Sequence, residues 1–314
     1  KLEEIRALCD EATILRLGKV VATCTPRDVS AAHMAELMVG KSLATPARAA
    51  SDAGAVLLSV SALSLSPATP FGTPLRDISF EVRAGEVLGI GGVAGNGQDE
   101  LLATLSGEVK TGAGAVNLNG ISISGLGPNA RRKAGLLCAP EERLGHAAAP
   151  DMSLTENAVL TARVRQGLDK KGFVNWAGAK SFAQQVIQQF DVRTPSADVA
   201  ARALSGGNLQ KFVIGREILQ NPRVLIVNQP TWGVDASAAA AIRQALLDLA
   251  QGGAAVVVIS QDLDELLEVS DRFCALNEGR LSEPRPARGL TMEEIGLMLG
   301  GAHDLQSVES GAVA

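Results

Sequence analysis

Short apolar runs alternate with stretches whose apolar residues recur at helical spacing, and this alternation predicts most of the elements. Val87-Leu88-Gly89-Ile90 reads as a strand entering a glycine-rich turn, with a helix from about Gln98 to Leu105. Ala115 to Leu118 and Gly135 to Cys138 read as further strands. Ser181 to Phe190 carries Phe182, Val186, Ile187 and Phe190 on one helical face. Leu209 to Leu219 predicts a helix stopped by Asn221-Pro222, since proline has no N–H to continue it. Arg223 to Val227, Ala236 to Leu249 and Ala255 to Ile259 follow as strand, helix and strand. The apolar strands are continuous rather than alternating, which is the pattern of strands buried on both faces. The expected class is therefore α/β, with a parallel sheet covered by helices.

A repeat organises the chain. Leu2-Glu3-Glu4-Ile5 matches Leu263-Asp264-Glu265-Leu266, and at the same offset Asp10 meets Asp271, Gly18 meets Gly279 and Lys19 meets Arg280. After a single-residue gap, Glu36-Leu37-Met38-Val39-Gly40 falls on Gly296-Leu297-Met298-Leu299-Gly300. Residues 1–40 then read as the end of one domain and 55–300 as a full second copy. The Ala-, Ser- and Pro-rich stretch 41–54 reads as a linker and 301–314 as a mobile tail. The chain has no starting Met and opens inside a repeat, so it reads as the later part of a longer one.

Composition narrows the function. The 314 residues suffice for a sizeable core, and a net charge of −5 argues against a general nucleic-acid surface. Four scattered cysteines form no CxxC pair, so neither a disulfide framework nor a structural zinc site is expected. No apolar run nears the roughly 18 residues that cross a bilayer, so any membrane role works through a spanning partner.

Between the first strand and its helix, Gly92, Gly95 and Gly97 stand at the spacing of a phosphate-binding loop, with Asn96 between them. Glycines allow the tight wrap that aims N–H groups at phosphates, and the helix N-terminus adds positive potential. The Lys position of that motif is Gln98 and the Ser/Thr position is Asp99. A purely structural glycine turn reads equally well from the loop alone. A dinucleotide loop is a third reading, since residues 89–94 fit GxGxxA. It wants an acidic residue at the end of the next strand, where Asn117-Leu118-Asn119 stands.

Leu204-Ser205-Gly206-Gly207-Asn208, opening a helix just before a buried strand, resembles the signature motif of ABC ATPases. The plainer alternative is a serine N-cap. The resemblance covers nearly the whole chain. It implies a P-loop NTPase-type parallel core with an antiparallel β subdomain and a helical subdomain bearing the signature. It also implies roles. The buried strand ends Asn228-Gln229-Pro230-Thr231, where active members carry Asp-Glu-Pro-Thr: the Asp helps hold Mg²⁺ and the Glu serves the attacking water. A neutral amide is no general base at pH 7. Gln261 stands where the family has a His that contacts the γ-phosphate, and Asp235 matches the D-loop Asp, with a helix N-cap as its alternative. Ala139-Pro140-Glu141-Glu142-Arg143 resembles the Q-loop region that couples to a permease, with a surface charge cluster as the alternative. An adenine-stacking aromatic has no clear place, and Phe71 reads as core or loop packing.

The resemblance is strongest to the second ATPase domain of tandem nucleoside importers, with simple-sugar importers close by. The implied function is ATP-binding, energy-coupling work at the cytoplasmic membrane face, with ATP and Mg²⁺ as cofactors. The implied partners are a first ATPase domain, transmembrane permease subunits and, indirectly, a solute-binding lipoprotein. With four groups altered, Gln98, Asn228, Gln229 and Gln261, the resemblance implies that the chain's own site is non-hydrolytic. The intact signature would serve ATP held by the first domain. Asp99 and Asn228 depart from the small residues expected there. The competing readings are a non-transport ABC ATPase and a vestigial regulatory fragment.

Overall fold

The computed structural model describes residues 2–16, 18–39, 54–67 and 69–301. Apart from Gly54 and Gly301, the expected linker (41–54) and tail (301–314) lie outside the described residues. The chain opens with α1 (Leu2–Leu8), the antiparallel pair β1 (Ala12–Arg16) and β2 (Lys19–Cys24), and α2 (Ala31–Val39). Ile14 and Met34 are buried there, while Leu15 and Val20 are exposed.

Next come β3 (Val56–Leu65), β4 (Leu75–Arg83), β5 (Val87–Gly91), α3 (Gln98–Ser106), β6 (Val116–Leu118) and β7 (Ile121–Ser122). They are followed by α4 (Pro128–Ala134), β8 (Leu136–Ala139), α5 (Leu154–Ala162), the short pair β9 (Asp169–Lys170) and β10 (Phe173–Val174), α6 (Trp176–Gln189) and α7 (Gly206–Ile218). The chain continues through β11 (Val224–Asn228), α8 (Ala236–Gln251), β12 (Ala255–Ser260) and α9 (Leu263–Val269). It closes on β13 (Arg272–Asn277), β14 (Arg280–Leu281), β15 (Arg285–Pro286) and α10 (Met292–Leu299).

The main sheet runs β14-β13-β5-β12-β11-β8, with β15 also on β13. The contacts β13–β5, β5–β12, β12–β11 and β11–β8 are all parallel. Every residue of β5, β11, β12 and β8 is buried, as their unbroken apolar runs predict. The pleat divides these strands between two cores. Leu88, Ile90, Val224, Ile226, Val257 and Ile259 face α3 and the second sheet. Val87, Leu225, Val227, Val256 and Val258 face the helical layer through Phe212, Ile214, Ile242 and Leu246.

The second sheet is antiparallel, in the order β4-β3-β6-β7. This places β6, one of the strands read as part of the α/β alternation, outside the parallel sheet. It pairs antiparallel with β3, joining Leu58 to Leu118 and Val60 to Val116. The dinucleotide reading fails on the same topology, because the strand following α3 is not a neighbour of β5.

Two helices start earlier than their apolar period indicates. α6 begins at Trp176, where Asn175 Oδ1 accepts from Gly178 N at 3.0 Å, although its apolar face starts only at Ala179. α7 begins at Gly206. Its first turn holds two glycines, whose low helix propensity hides it from a propensity reading.

Candidate nucleotide site

Register sets the site. In the parallel sheet Ser260 lies beside Gly91, Asn228 beside Ile259 and Val227 beside Ala139. The carboxyl ends of β5, β12, β11 and β8 are therefore level, and the segments that leave them meet at one edge, where ligands of open α/β sheets bind. A cleft of about 930 Å³ opens there. Of the residues expected to bind, it brings together Gly95, Gln98, Asp99 and Glu141 with Gly206, Asn228, Gln229 and Gln261. Gly92, Asn96, Gly97, Ser205, Gly207, Asn208 and Asp235 do not line it.

Gly97 turns the loop into α3 at φ 109°, a left-handed conformation that favours glycine. From there Gln98 reaches back. Its Oε1 accepts from Asn96 N at 3.0 Å and its Nε2 donates to Val93 O at 2.9 Å. The loop is also braced from outside: Thr73 Oγ1 donates to Gly95 O at 2.6 Å, and Glu278 N donates to Asn96 Oδ1 at 3.0 Å.

Asp99 accepts from Asn228 Nδ2 at 3.2 Å. Burial, then the Glu100 carboxylate, raises the Asp99 carboxyl above its ordinary range, while the Asn228 hydrogen bond opposes the shift. Burial, then Asp99, raises Glu141 as well. Two carboxylates thus face a cleft in which polyphosphate would bring more negative charge. Asn228 and Gln229 are 2% and 4% exposed. Gln229 holds φ 51°, in the left-handed region, and its N–H donates to Ile259 O at 2.8 Å. With amides at both positions this strand end offers no carboxylate to serve an attacking water, so the residues present do not fit hydrolysis of Mg²⁺-ATP and no hydrolytic step is derived at this edge.

The signature side differs. Ser205 is exposed and caps α7, accepting from Asn208 N and from Asn208 Nδ2 at 2.9 Å. The cap reading is thus physically realised, and it leaves the hydroxyl at the surface on a helix N-terminus. Asn208 Oδ1 accepts from Arg193 N at 2.8 Å. Asp235 likewise caps α8, accepting from Ala238 N at 2.9 Å. One network escaped the sequence reading. Gln210, 1% exposed, donates to Pro230 O at 2.9 Å and accepts from Arg143 Nε at 2.9 Å. It ties the 139–143 segment, α7 and the turn after β11 together. The available signal was a polar residue beside Leu209 on the inward side of a helix. Phe71 needs a correction: it is 98% exposed, because the connection between β3 and β4 runs outside the sheet and Leu75 takes the inward place.

Comparison with known proteins agrees with this geometry. The family model described as ABC transporter matches residues 75–232. The guanosine import ATP-binding protein NupO of Bacillus subtilis is 37% identical over 94% of this chain and 58% of its own length. The nucleoside import ATP-binding protein NupA of Lactococcus lactis is 36% identical over 96% of this chain and 60% of its own. The ribose import ATP-binding protein RbsA 2 of Streptomyces coelicolor is 36% identical over 99% and 58%. The chain therefore spans less than two thirds of each of these relatives. Among solved structures, a dimeric post-hydrolysis ATP-binding cassette bound to ADP and Pi superposes with a TM-score of 0.62 at 20% identity, covering 74% of this chain and all of that one.

Proposed function

The chain belongs to the ABC transporter family, and on that premise we propose that it is the later part of an ATP-binding, energy-coupling subunit of an importer for nucleosides or simple sugars. The observation that carries this reading is an asymmetry. An intact signature stands on an exposed helix N-terminus, facing a phosphate loop with Gln98 at its Lys position and a strand end with Asn228 and Gln229 in place of Asp and Glu. In this reading residues 55–300 are the second cassette and 1–40 the end of a first. The succession α1-β1-β2-α2 supports it, since a helix, two strands and a final helix recur at the end of the chain as α9-β13-β14-α10, there with the two-residue β15 inserted before α10. In the second copy β13 lies parallel to β5, whereas among the described residues β1 pairs with β2. The greater length of the relatives points the same way.

The division of labour follows from the groups available. ATP and Mg²⁺ would be held by the first cassette and shared across the interface. Ser205, Gly206, Gly207 and the free N–H groups of α7 would meet the γ-phosphate, where a hydroxyl and a positive helix end favour it. Asp235, at the mouth of the turn after β11, would face the other cassette. The 139–143 segment, with Glu141, would meet the permease, placing the subunit at the cytoplasmic membrane face. Among the described residues no helix is long and apolar enough to cross a membrane.

The test keeps the cap and removes the phosphate clasp. Aspartate caps a helix about as well as serine, but it turns a carboxylate toward phosphate. In the full-length protein Ser205→Asp should leave the melting temperature nearly unchanged and lower ATPase activity at least about a hundredfold, the range lost with a single charge-stabilising donor. Gln229→Ala should change it less than about twofold. Unchanged turnover in Ser205→Asp would remove the shared-site reading.

A further inference from the structure

We propose that Gln98 decides what the phosphate loop accepts: its carboxamide fills the anion nest from within and closes it to phosphate. The inference deepens the non-hydrolytic reading of this site and rests on it, but it is more than a missing charge. Losing a lysine weakens attraction. Filling the nest adds a competitor that is covalently attached and always present.

The geometry is specific. The carboxamide spans both limbs of the loop, donating to Val93 O at 2.9 Å and accepting from Asn96 N at 3.0 Å. It lies against the floor: a Cβ built at Gly92 would come within 2.7 Å of Gln98 Nε2. Asn96 N is one of the backbone donors that a bound phosphate would claim, and here it is engaged. An amide carries a donor and an acceptor on one plane, so it satisfies a carbonyl and an N–H together. A lysine, with donors only, cannot take the Asn96 N–H. The loop also keeps its shape without an anion, because Gly279 N donates to Asn96 O at 2.9 Å and Thr73 Oγ1 holds Gly95 O.

The two explanations predict opposite results for one substitution. If the site is weak only because a cation is missing, Gln98→Ala restores nothing and binds pyrophosphate no better than wild type. If the nest is plugged, Gln98→Ala frees Asn96 N and removes two competing hydrogen bonds, and pyrophosphate should bind at least about tenfold more tightly by calorimetry. Gln98→Lys should gain more, because it both opens the nest and supplies the charge. Hydrogen exchange on the unmodified chain gives a second measurement that needs no variant: the Asn96 amide should be protected without any ligand. Equal weak binding by wild type and Gln98→Ala, or an Asn96 amide that exchanges at the unprotected rate, overturns the plug and leaves the proposed function standing. Tight Mg²⁺-ATP binding by the unmodified chain overturns the plug, and ATP turnover by the unmodified chain overturns the non-hydrolytic reading on which it rests.

Discussion

The two halves of the cleft carry the same inheritance differently. On the loop side, shape survives while the polar groups turn inward: Gln98 bonds its own loop, and Asn228 bonds Asp99. On the signature side, Ser205 and Gly206 stay at the surface, backed by the buried Gln210 and its ties to Arg143 and Pro230. On the loop side Gln98 takes Asn96 N and Val93 O, whereas on the signature side Ser205 accepts from Asn208 and still leaves its hydroxyl exposed at the helix N-terminus. A fold can keep a site's outline after its chemistry has gone, so the outline alone does not license a function. The informative observation is where each donor points.

The sharpest way to break this contrast is to add one methyl group to each side. Gly279 braces the loop at φ 72°, and a Cβ there would fall 1.8 Å from the Pro74 carbonyl oxygen. Backbone cannot yield as a side chain does, so Gly279→Ala should cost about 3 kcal/mol in a urea melt. Gly206 also looks crowded, at 2.7 Å, but the crowding atom is the end of the Arg143 guanidinium. That group can swing aside, and alanine favours the helix by up to about 1 kcal/mol, so Gly206→Ala should be close to neutral. Equal costs at the two positions would mean that the loop is not rigidly braced.

A smaller effect probes the support behind the signature. Gln210→Ala would leave Pro230 O without this partner in a buried place and untie the half-buried Arg143 guanidinium. That should destabilise the protein by about 1–3 kcal/mol. The exposed cap next door can be replaced by aspartate at almost no cost. A Gln210→Ala variant as stable as wild type would show that the strut is ornamental and that α7 is held by its apolar face alone.

Much of this architecture was legible beforehand, and the exceptions share a cause. The parallel strands announced themselves because residues 224–227 and 255–259 are apolar without a break and too short for helices, the pattern of strands buried on both faces. The loop and signature were legible because glycine spacing reports backbone demands directly. β6 was misplaced because a strand of three residues carries no record of which sheet it joins. The first turn of α7 was legible from the signature, which opens a helix behind Ser205, and not from the apolar period, which starts only at Leu209. Phe71 was misread because hydrophobicity does not say which side of a connection faces water. The roles of Gln98 and Gln210 were out of reach for a different reason: each depends on where an amide points, and sequence does not encode a direction until the backbone around it is fixed.

The smallest expected effect tests whether the loop side carries electrostatic strain that the signature side lacks. Burial and Glu100 raise the Asp99 carboxyl above its ordinary value, so the folded state binds that proton more tightly than the unfolded chain does. Stability from this group is therefore present in full at low pH and is lost as the pH rises through the folded-state titration. Asp99→Asn removes the titration and keeps an oxygen that can accept from Asn228. The variant should gain in melting temperature relative to wild type on going from about pH 4 to about pH 7, by a degree or two, since the carboxylate is partly solvated. At neutral pH it should also bind pyrophosphate somewhat better, because one negative charge leaves the cleft. A difference between the two proteins that does not change with pH would place the strain elsewhere. Glu141, raised partly by Asp99, would then be the next carboxylate to neutralise.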